Sequence, residues 1–258
     1  MTEVEVFHDI SFFGLVDPRR IRRAIDIGCH RGEHIQRILK PMLPTAEILG
    51  VEPKTSNYQE CLKLNIEGVS FLQLDCRDLS AERVGHFDLV WCCGLIYHLD
   101  DPTRLICAIR SISHGESYIC VEGHFATEAE QACLPNPNPP IVQKILDGRA
   151  YRGKMFKEFD QALPVDARDK SDRAALDNAW AFWLTADSMV NMFRSYGFRR
   201  IVELRSTSPD CPLGPGLVYL PVDGAREWSR RFYVLAPDDV QLPMGHLETS
   251  LPNGALRA

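Results

Sequence analysis

Four groups of residues in this chain have the types and the spacing to hold a ligand. The first is Asp26-Ile27-Gly28-Cys29-His30-Arg31-Gly32. A glycine just after an acid at a strand end lets backbone approach a ligand closely, and a second glycine suits a tight strand-to-helix turn. Plain turn geometry is the competing reading of Gly28 and Gly32. Their spacing is G-x-x-x-G, whereas the dinucleotide fingerprint is G-x-G-x-x-G, so Cys29-His30-Arg31 leaves no second glycine beside a pyrophosphate. Asp26 is awkward against a phosphate and suits a ligand with a positive end and hydroxyls. The second group, Ile48-Leu49-Gly50-Val51-Glu52-Pro53, puts Glu52 where a carboxylate accepts from both hydroxyls of a ribose, unless it is only an exposed acid before a helix. The third, Leu74-Asp75-Cys76-Arg77-Asp78, offers Asp75 to an adenine amino group, with Asp78 as a substitute or a helix cap. The fourth runs from Phe87-Asp88-Leu89-Val90 through Gly94 to Tyr97-His98-Leu99-Asp100-Asp101-Pro102.

These groups need an alternating scaffold, and the sequence supplies one. Short β-branched runs at Arg23–Ile27, Ala46–Val51, Val69–Leu74, Phe87–Cys93 and Tyr118–Glu122 alternate with amphipathic stretches, the pattern of βα units around a parallel sheet. Phe87–Cys93 is apolar without alternation, as a central strand buried on both faces must be. Helices are predicted over Glu33–Lys40, stopped by Pro41, over Asn57–Asn65, over Pro102–Ile112 and over Ala186–Tyr196, closed by Gly197. Arg200–Leu204 and Arg231–Leu235 read as late strands. All four ligand-holding groups then fall at the carboxyl ends of successive strands, the edge where open α/β sheets bind ligands.

Residues 125–179 interrupt the alternation with Pro135, Pro137, Pro139, Pro140 and Pro164. Such a length suits a lid or substrate-shaping insertion. The expected organisation is one domain over 1–258, with an extension at 1–22 and an irregular tail at 237–258. Hydrophobic residues make 45% of the 258 and charged residues 25%, ordinary for a globular chain. The net charge of −6 argues against a broad nucleic-acid face, though a local basic patch stays open. There is no run near the roughly 18 apolar residues of a membrane span, and Met1–Glu5 lacks the regions of a signal peptide; the expected location is cytoplasmic, with no membrane partner. A homodimer is left open. The nine cysteines include no C-x-x-C pair and no zinc-ligand spacing, so reduced, mostly buried thiols and no metal are expected. Cys29, beside Gly28, has no base or metal near it in sequence and reads as structural.

On these motifs the chain resembles the class I S-adenosylmethionine-dependent methyltransferases over roughly residues 23–123, the F-D-L-V segment with its G-x-x-Y-H-L-x-D-P ending being the most specific part. Val6-Phe7-His8-Asp9-Ile10, Tyr97–Pro102, and Trp180-Ala181-Phe182-Trp183-Leu184-Thr185 with Gly197-Phe198 look like the branch containing the tRNA wobble-uridine carboxymethyltransferase and its small-molecule relatives. The resemblance implies an α/β, Rossmann-like, seven-stranded sheet flanked by helices with a reversed last strand. It also implies S-adenosyl-L-methionine as the cofactor, with Asp26, Gly28 and Gly32 at the methionine end, Glu52 at the ribose, and Asp75 with Cys76 at the adenine; Cys29 and Gly94 are further cofactor-binding candidates. One departure is Arg31, where the family often carries another glycine.

Methyl transfer is an in-line displacement, so positioning dominates, but a hydroxyl acceptor still gains from a base. His98 is one candidate, with packing as its alternative; Glu122 and His124 are rivals. Tyr97, Trp180, Phe182 and Trp183 could line an acceptor pocket or belong to the core. Arg149, Arg152, Lys154 and Lys157 suit a solvated loop, or a site for a phosphate or carboxylate on the substrate. The expected reaction is O-methylation of a sugar or secondary-metabolite hydroxyl. A tRNA-modifying (carboxy)methyltransferase and an NAD-type oxidoreductase are the alternatives.

Overall fold

The computed structural model describes residues 4–8, 11–128, 139–171, 174–205, 230–236 and 247–249. Twelve strands form two sheets among them. The large one is built from β1 (Glu5–His8), β2 (Arg23–Ile27), β3 (Glu47–Val51), β4 (Val69–Leu72), β5 (Phe87–Cys93), β6 (Ser113–His124), β10 (Arg200–Arg205), β11 (Arg230–Ala236) and β12 (Leu247–Thr249), in the order β12-β1-β10-β11-β6-β5-β2-β3-β4. β2 to β6 are mutually parallel where they pair, and β11 runs antiparallel to both β10 and β6. Seven of these nine strands match the expected sheet with its reversed strand. The other two were not expected. Val6 and Phe7, in the supposed N-terminal extension, are buried as β1 pairs in parallel with β10, and β12, inside the supposed irregular tail, pairs antiparallel with β1. Phe12 follows them inward, its ring centroid 5.4 Å from that of Trp91. Apart from 247–249, the tail lies outside the described residues, as do Asp9, Ile10, Pro135 and Pro137.

Both faces of the sheet are covered, which is why its central strands carry no polar alternation. The helix Pro102–Ile112, capped by the Asp101 carboxylate on Thr103 N–H and with proline in its first turn, buries Leu105, Ile106, Ile109 and Ile112 against Ile25, Ile27 and Val90. Each such side chain contributes about 1.5–3 kcal/mol when fully withdrawn from water. On the other face Ile35, Ile38 and Leu39 pack with Ala24 and Trp91. Their helix does not stop at Pro41. It widens to a π-type turn over Ile35–Leu39, where Lys40 N–H reaches back five residues to the Ile35 carbonyl, and continues through Lys40–Met42. The wider turn relaxes the i−4 spacing with which a proline ring collides.

The described residues of the insertion include regular structure. β7 (Val142–Leu146) and β8 (Arg149–Lys157) form a hairpin about Asp147-Gly148, both with positive φ, as a tight two-residue turn requires. β9 (Trp180–Leu184) completes a three-stranded antiparallel sheet. Gly153 is obligatory here, because a Cβ would come within 2.3 Å of the Trp183 carbonyl. A short helix, Val165–Lys170, lies between β8 and β9. Helix Ala186–Ser195 follows, capped by Thr185 and closed by Gly197 at φ +87°. Among the described residues no helix is long and apolar enough to cross a membrane, and no cluster of three His, Cys, Asp or Glu side chains could hold a metal.

Candidate active site

The carboxyl ends of β2, β3, β4, β5 and β6 place most of the expected site residues along one edge. Asp26, fourth residue of β2, is fully buried, and neither carboxylate oxygen has a hydrogen-bond partner among the described residues. Burial first, then the charges of Glu52 and Glu33, push its pKa up to about 8. Beyond it the chain turns at Gly28 (φ +73°) and Gly32 (φ +78°), with His30 between them also left-handed at φ +53°. The amides of Gly28 and Cys29 both donate to the Val51 carbonyl, tying the turn to the end of β3. Cys29 is buried with its Sγ 3.9 Å from that of Cys61, and this contact together with burial holds its thiol far above the ordinary range. Its side chain packs against Cys61.

Glu52 follows β3 and is almost fully buried. Its Oε2 accepts from His30 N–H at 3.0 Å, and its Oε1 from Lys54 N–H at 3.1 Å and Asn57 Nδ2 at 3.3 Å. Burial raises its pKa despite these bonds, which act the other way. Asp75 caps the turn Cys76–Asp78 and is gripped by Arg77 through the backbone N–H and Nε at 2.8 Å and Nη2 at 2.6 Å. Against the opposing effect of burial, these bonds hold its carboxyl below the usual range. Cys76 is buried beside it, its thiol pushed up to about 12. Asp75 therefore has less acceptor capacity to spare than the sequence suggested, because both oxygens already serve Arg77.

The insertion clasps this end of the edge. Asp169 accepts from the backbone N–H groups of Thr55 (2.7 Å) and Ser56 (3.0 Å), Lys54 Nζ donates to the Ser171 carbonyl at 2.6 Å, and Asp177 receives Arg77. A groove of about 800 Å³ lies under the clasp, with Pro53, Thr55, Arg168, Asp169, Leu176 and Asp177 in its walls and none of Tyr97, His98 or His124.

The other end is aromatic. Gly94 turns the chain after β5 at φ +84°, and a Cβ placed on it would lie 3.9 Å from the Tyr97 hydroxyl. The Tyr97 ring meets those of His98 (4.3 Å), His124 (4.8 Å) and Trp183 (5.8 Å). The Trp183 ring stacks with those of His124 at 5.0 Å and Phe156 at 4.6 Å. Phe182 is core, whereas Trp180 is 43% exposed at the start of β9. Glu122 is buried within β6. Arg149, Arg152 and Lys157 are exposed, with Arg152 paired to Glu128 at 3.0 Å, while Lys154 of the same strand is buried. His98 has a partner that the sequence reading missed: its Nδ1 lies 2.8 Å from Oε2 of Glu158, a carboxylate 1% exposed at the end of β8. No local signal marks Glu158, since it is 60 residues away and one charge among several.

Comparison with known proteins agrees with this geometry. Residues 25–113 match the family model described as a methyltransferase domain. Over that segment the chain is similar to a methyltransferase domain, and its fold is that of the class I, S-adenosylmethionine-dependent methyltransferases. It is 25% identical over 178 residues to the tRNA U34 carboxymethyltransferase of Campylobacter concisus, covering 64% of this chain and 58% of that protein. It is 23% identical over 194 residues to that of Campylobacter hominis, covering 70% and 65%. The chain thus matches about three fifths of the length of these curated relatives. The crystal structure of the N-terminal domain of EvdMO1, obtained in the presence of SAH and D-fucose, shares the fold with a TM-score of 0.59 at 19% identity, over 88% of this chain and 79% of that one. The methyltransferase edge also fits its cofactor: the two unpartnered, buried oxygens of Asp26 lie behind the Gly28 turn, where a cationic ammonium would satisfy them.

Proposed function

We propose that this methyltransferase acts on a hydroxyl of a small molecule, a sugar or a secondary metabolite. The observation that carries the reading is the attachment of the insertion at two points of the strand edge. One inserted segment is fixed to Thr55, Ser56 and Arg77 at one end, and to His98 at the other. A segment so attached suits a compact acceptor. The acidic net charge and the likeness to a domain crystallised with SAH and D-fucose support the same reading. Asp26, the Gly28–Gly32 turn and Glu52 are assigned to the methionine and ribose parts of the cofactor, and Asp75 with Cys76 to its adenine. Bound S-adenosylmethionine supplies an electrophilic methyl group. The chain's own work is to seat the acceptor near Gly94 and Tyr97 and to take its proton, which we assign to His98. Glu122, buried in β6, is the poorer base.

The likeness to tRNA U34 carboxymethyltransferases favours tRNA as a second reading. Methyl transfer from radiolabelled S-adenosylmethionine to a panel of sugars, phenols and bulk tRNA separates the two. Labelled sugar or phenol is expected. Labelled tRNA, with binding that weakens steeply as salt rises, would overturn the small-molecule assignment. A thermal shift with SAH and none with NADH is expected; the reverse would remove the methyltransferase reading altogether.

A further inference from the structure

We propose that Glu158 is a positioning residue that locks His98 in the Nδ1–H tautomer and so leaves Nε2 as the proton-accepting atom. The inference rests on His98 serving the acceptor, as assigned above, and adds the device that prepares it.

An ionised carboxylate only accepts hydrogen bonds. Beside an ionised Glu158, Nδ1 of His98, 2.8 Å from Oε2, would carry the hydrogen, and in a neutral imidazole the lone pair is then on Nε2. The carboxylate is fixed in turn, because the same Oε2 accepts from Ala175 N–H at 2.9 Å. The backbone of His98 is held from the same segment. Asn178 Nδ2 donates to the His98 carbonyl at 2.8 Å, and Phe182 N–H to that of Leu99 at 2.8 Å. Side chain and main chain of one histidine are thus both set by residues 158–182. Glu158 Oε1 is buried with no partner among the described residues. A pair kept only for packing gains little from such an arrangement, since apolar side chains of like volume are often as stable as a buried ionic pair. A buried acid behind an imidazole does gain when that imidazole must take up a proton, because the imidazolium then faces a negative charge.

The test is ¹⁵N NMR of the full chain labelled at its histidines, with the His98 signals assigned by loss in His98→Gln. Tautomers are read from the ring-nitrogen shifts, and no acceptor is needed. The native protein is expected to show the Nδ1–H form alone. Glu158→Leu, which keeps the site buried but removes the acceptor, should let the Nε2–H form appear. Glu158→Gln, which keeps an acceptor oxygen without the charge, should retain the native tautomer. With D-fucose as the probe acceptor, kcat should fall about 10- to 100-fold in Glu158→Leu with KM little changed. A native His98 in the Nε2–H form, or a folded Glu158→Leu protein with an unchanged His98 spectrum, would overturn the proposal. Full turnover in His98→Gln would instead remove His98 as the base and leave the tautomer result standing.

Discussion

Replacing Glu52 tests the cofactor edge, and the structure dictates which replacement is informative. Its carboxylate accepts from His30 N–H, Lys54 N–H and Asn57 Nδ2. Glu52→Ala would strand three donors, each costing about 1–3 kcal/mol if left buried and unpaired. A loss of binding would then be confounded with a loosened Gly28–Gly32 turn. Glu52→Gln keeps the volume and one acceptor oxygen. Turned toward Lys54 and Asn57, that oxygen serves two of the three donors and leaves His30 N–H facing an amide nitrogen, a stability cost of about 1–3 kcal/mol. On the binding side, a charge-assisted pair to the ribose hydroxyls becomes a neutral one. That is worth roughly 1.5–3 kcal/mol, or about 10- to 100-fold in Kd. Calorimetry with SAH reads the affinity, and urea unfolding of the same protein reads the stability. A folded Glu52→Gln variant that binds SAH within about twofold of the native protein would take Glu52 out of the site.

Three further outcomes are expected. With Asp26 held up at about 8 by burial, Glu52 and Glu33, the folded protein keeps a proton that the unfolded chain loses above about pH 4, so this group's contribution falls as pH rises toward 8, by up to about 1.4 kcal/mol per unit. Urea unfolding from pH 5 to 8 should show the native chain losing stability relative to Asp26→Asn, and parallel curves would mean the carboxyl is ionised in the fold. Asp169→Ala removes a cap supplied in trans to the helix Thr55–Cys61 and should cost about 1 kcal/mol; limited proteolysis should then cut residues 160–178 faster, and an unchanged cleavage rate would show that the clasp does not hold the insertion. Among the seven described cysteines Cys107 alone is exposed, so iodoacetamide should label it well before Cys29, Cys76, Cys92, Cys93 or Cys120, with early labelling of Cys29 refuting its structural role.

The strands could be read where period and burial agreed. Phe87–Cys93 and Pro102–Ile112 have the expected bounds, because a central parallel strand is apolar throughout and a proline-started helix has an unambiguous first turn. Elsewhere longer-range forces decided. Pro41 stops a helix by local rules, but a π-type turn carries the chain past it. Val6-Phe7 was noticed as a motif and not as a strand, since four residues become a strand only when a partner such as β10 is present. Asp147-Gly148 between two strand-like runs is a strong local hairpin signal, but the sequence reading treats residues 125–179 as one lid or substrate-shaping insertion. At the site, Glu52 and Gly94 announce themselves by standing at strand ends. Glu158 does not, because its meaning comes from a pairing with His98 that only the folded insertion creates.

The charges around the site bear on the size of the acceptor. A nucleic acid is held by lysines and arginines that exchange counterions for phosphates. Here several of the described cations bordering the edge are already engaged. Arg77 serves Asp75 and Asp177, Arg152 serves Glu128, Arg149 faces Asp147, Lys157 faces Asp160, and Lys54 and Lys144 donate to the carbonyls of Ser171 and Asp100. The exposed pairs are worth at most about 1 kcal/mol each, so a phosphate could break them cheaply. The released acid would nevertheless stay beside that phosphate and repel it, cancelling much of what the cation gains. A basic track built to carry tRNA would not keep a carboxylate next to so many of its cations, whereas an uncharged sugar or phenol is indifferent to them. The same pairing hinders a phosphorylated acceptor, so the sugar and phenol panel is best assembled from neutral members first.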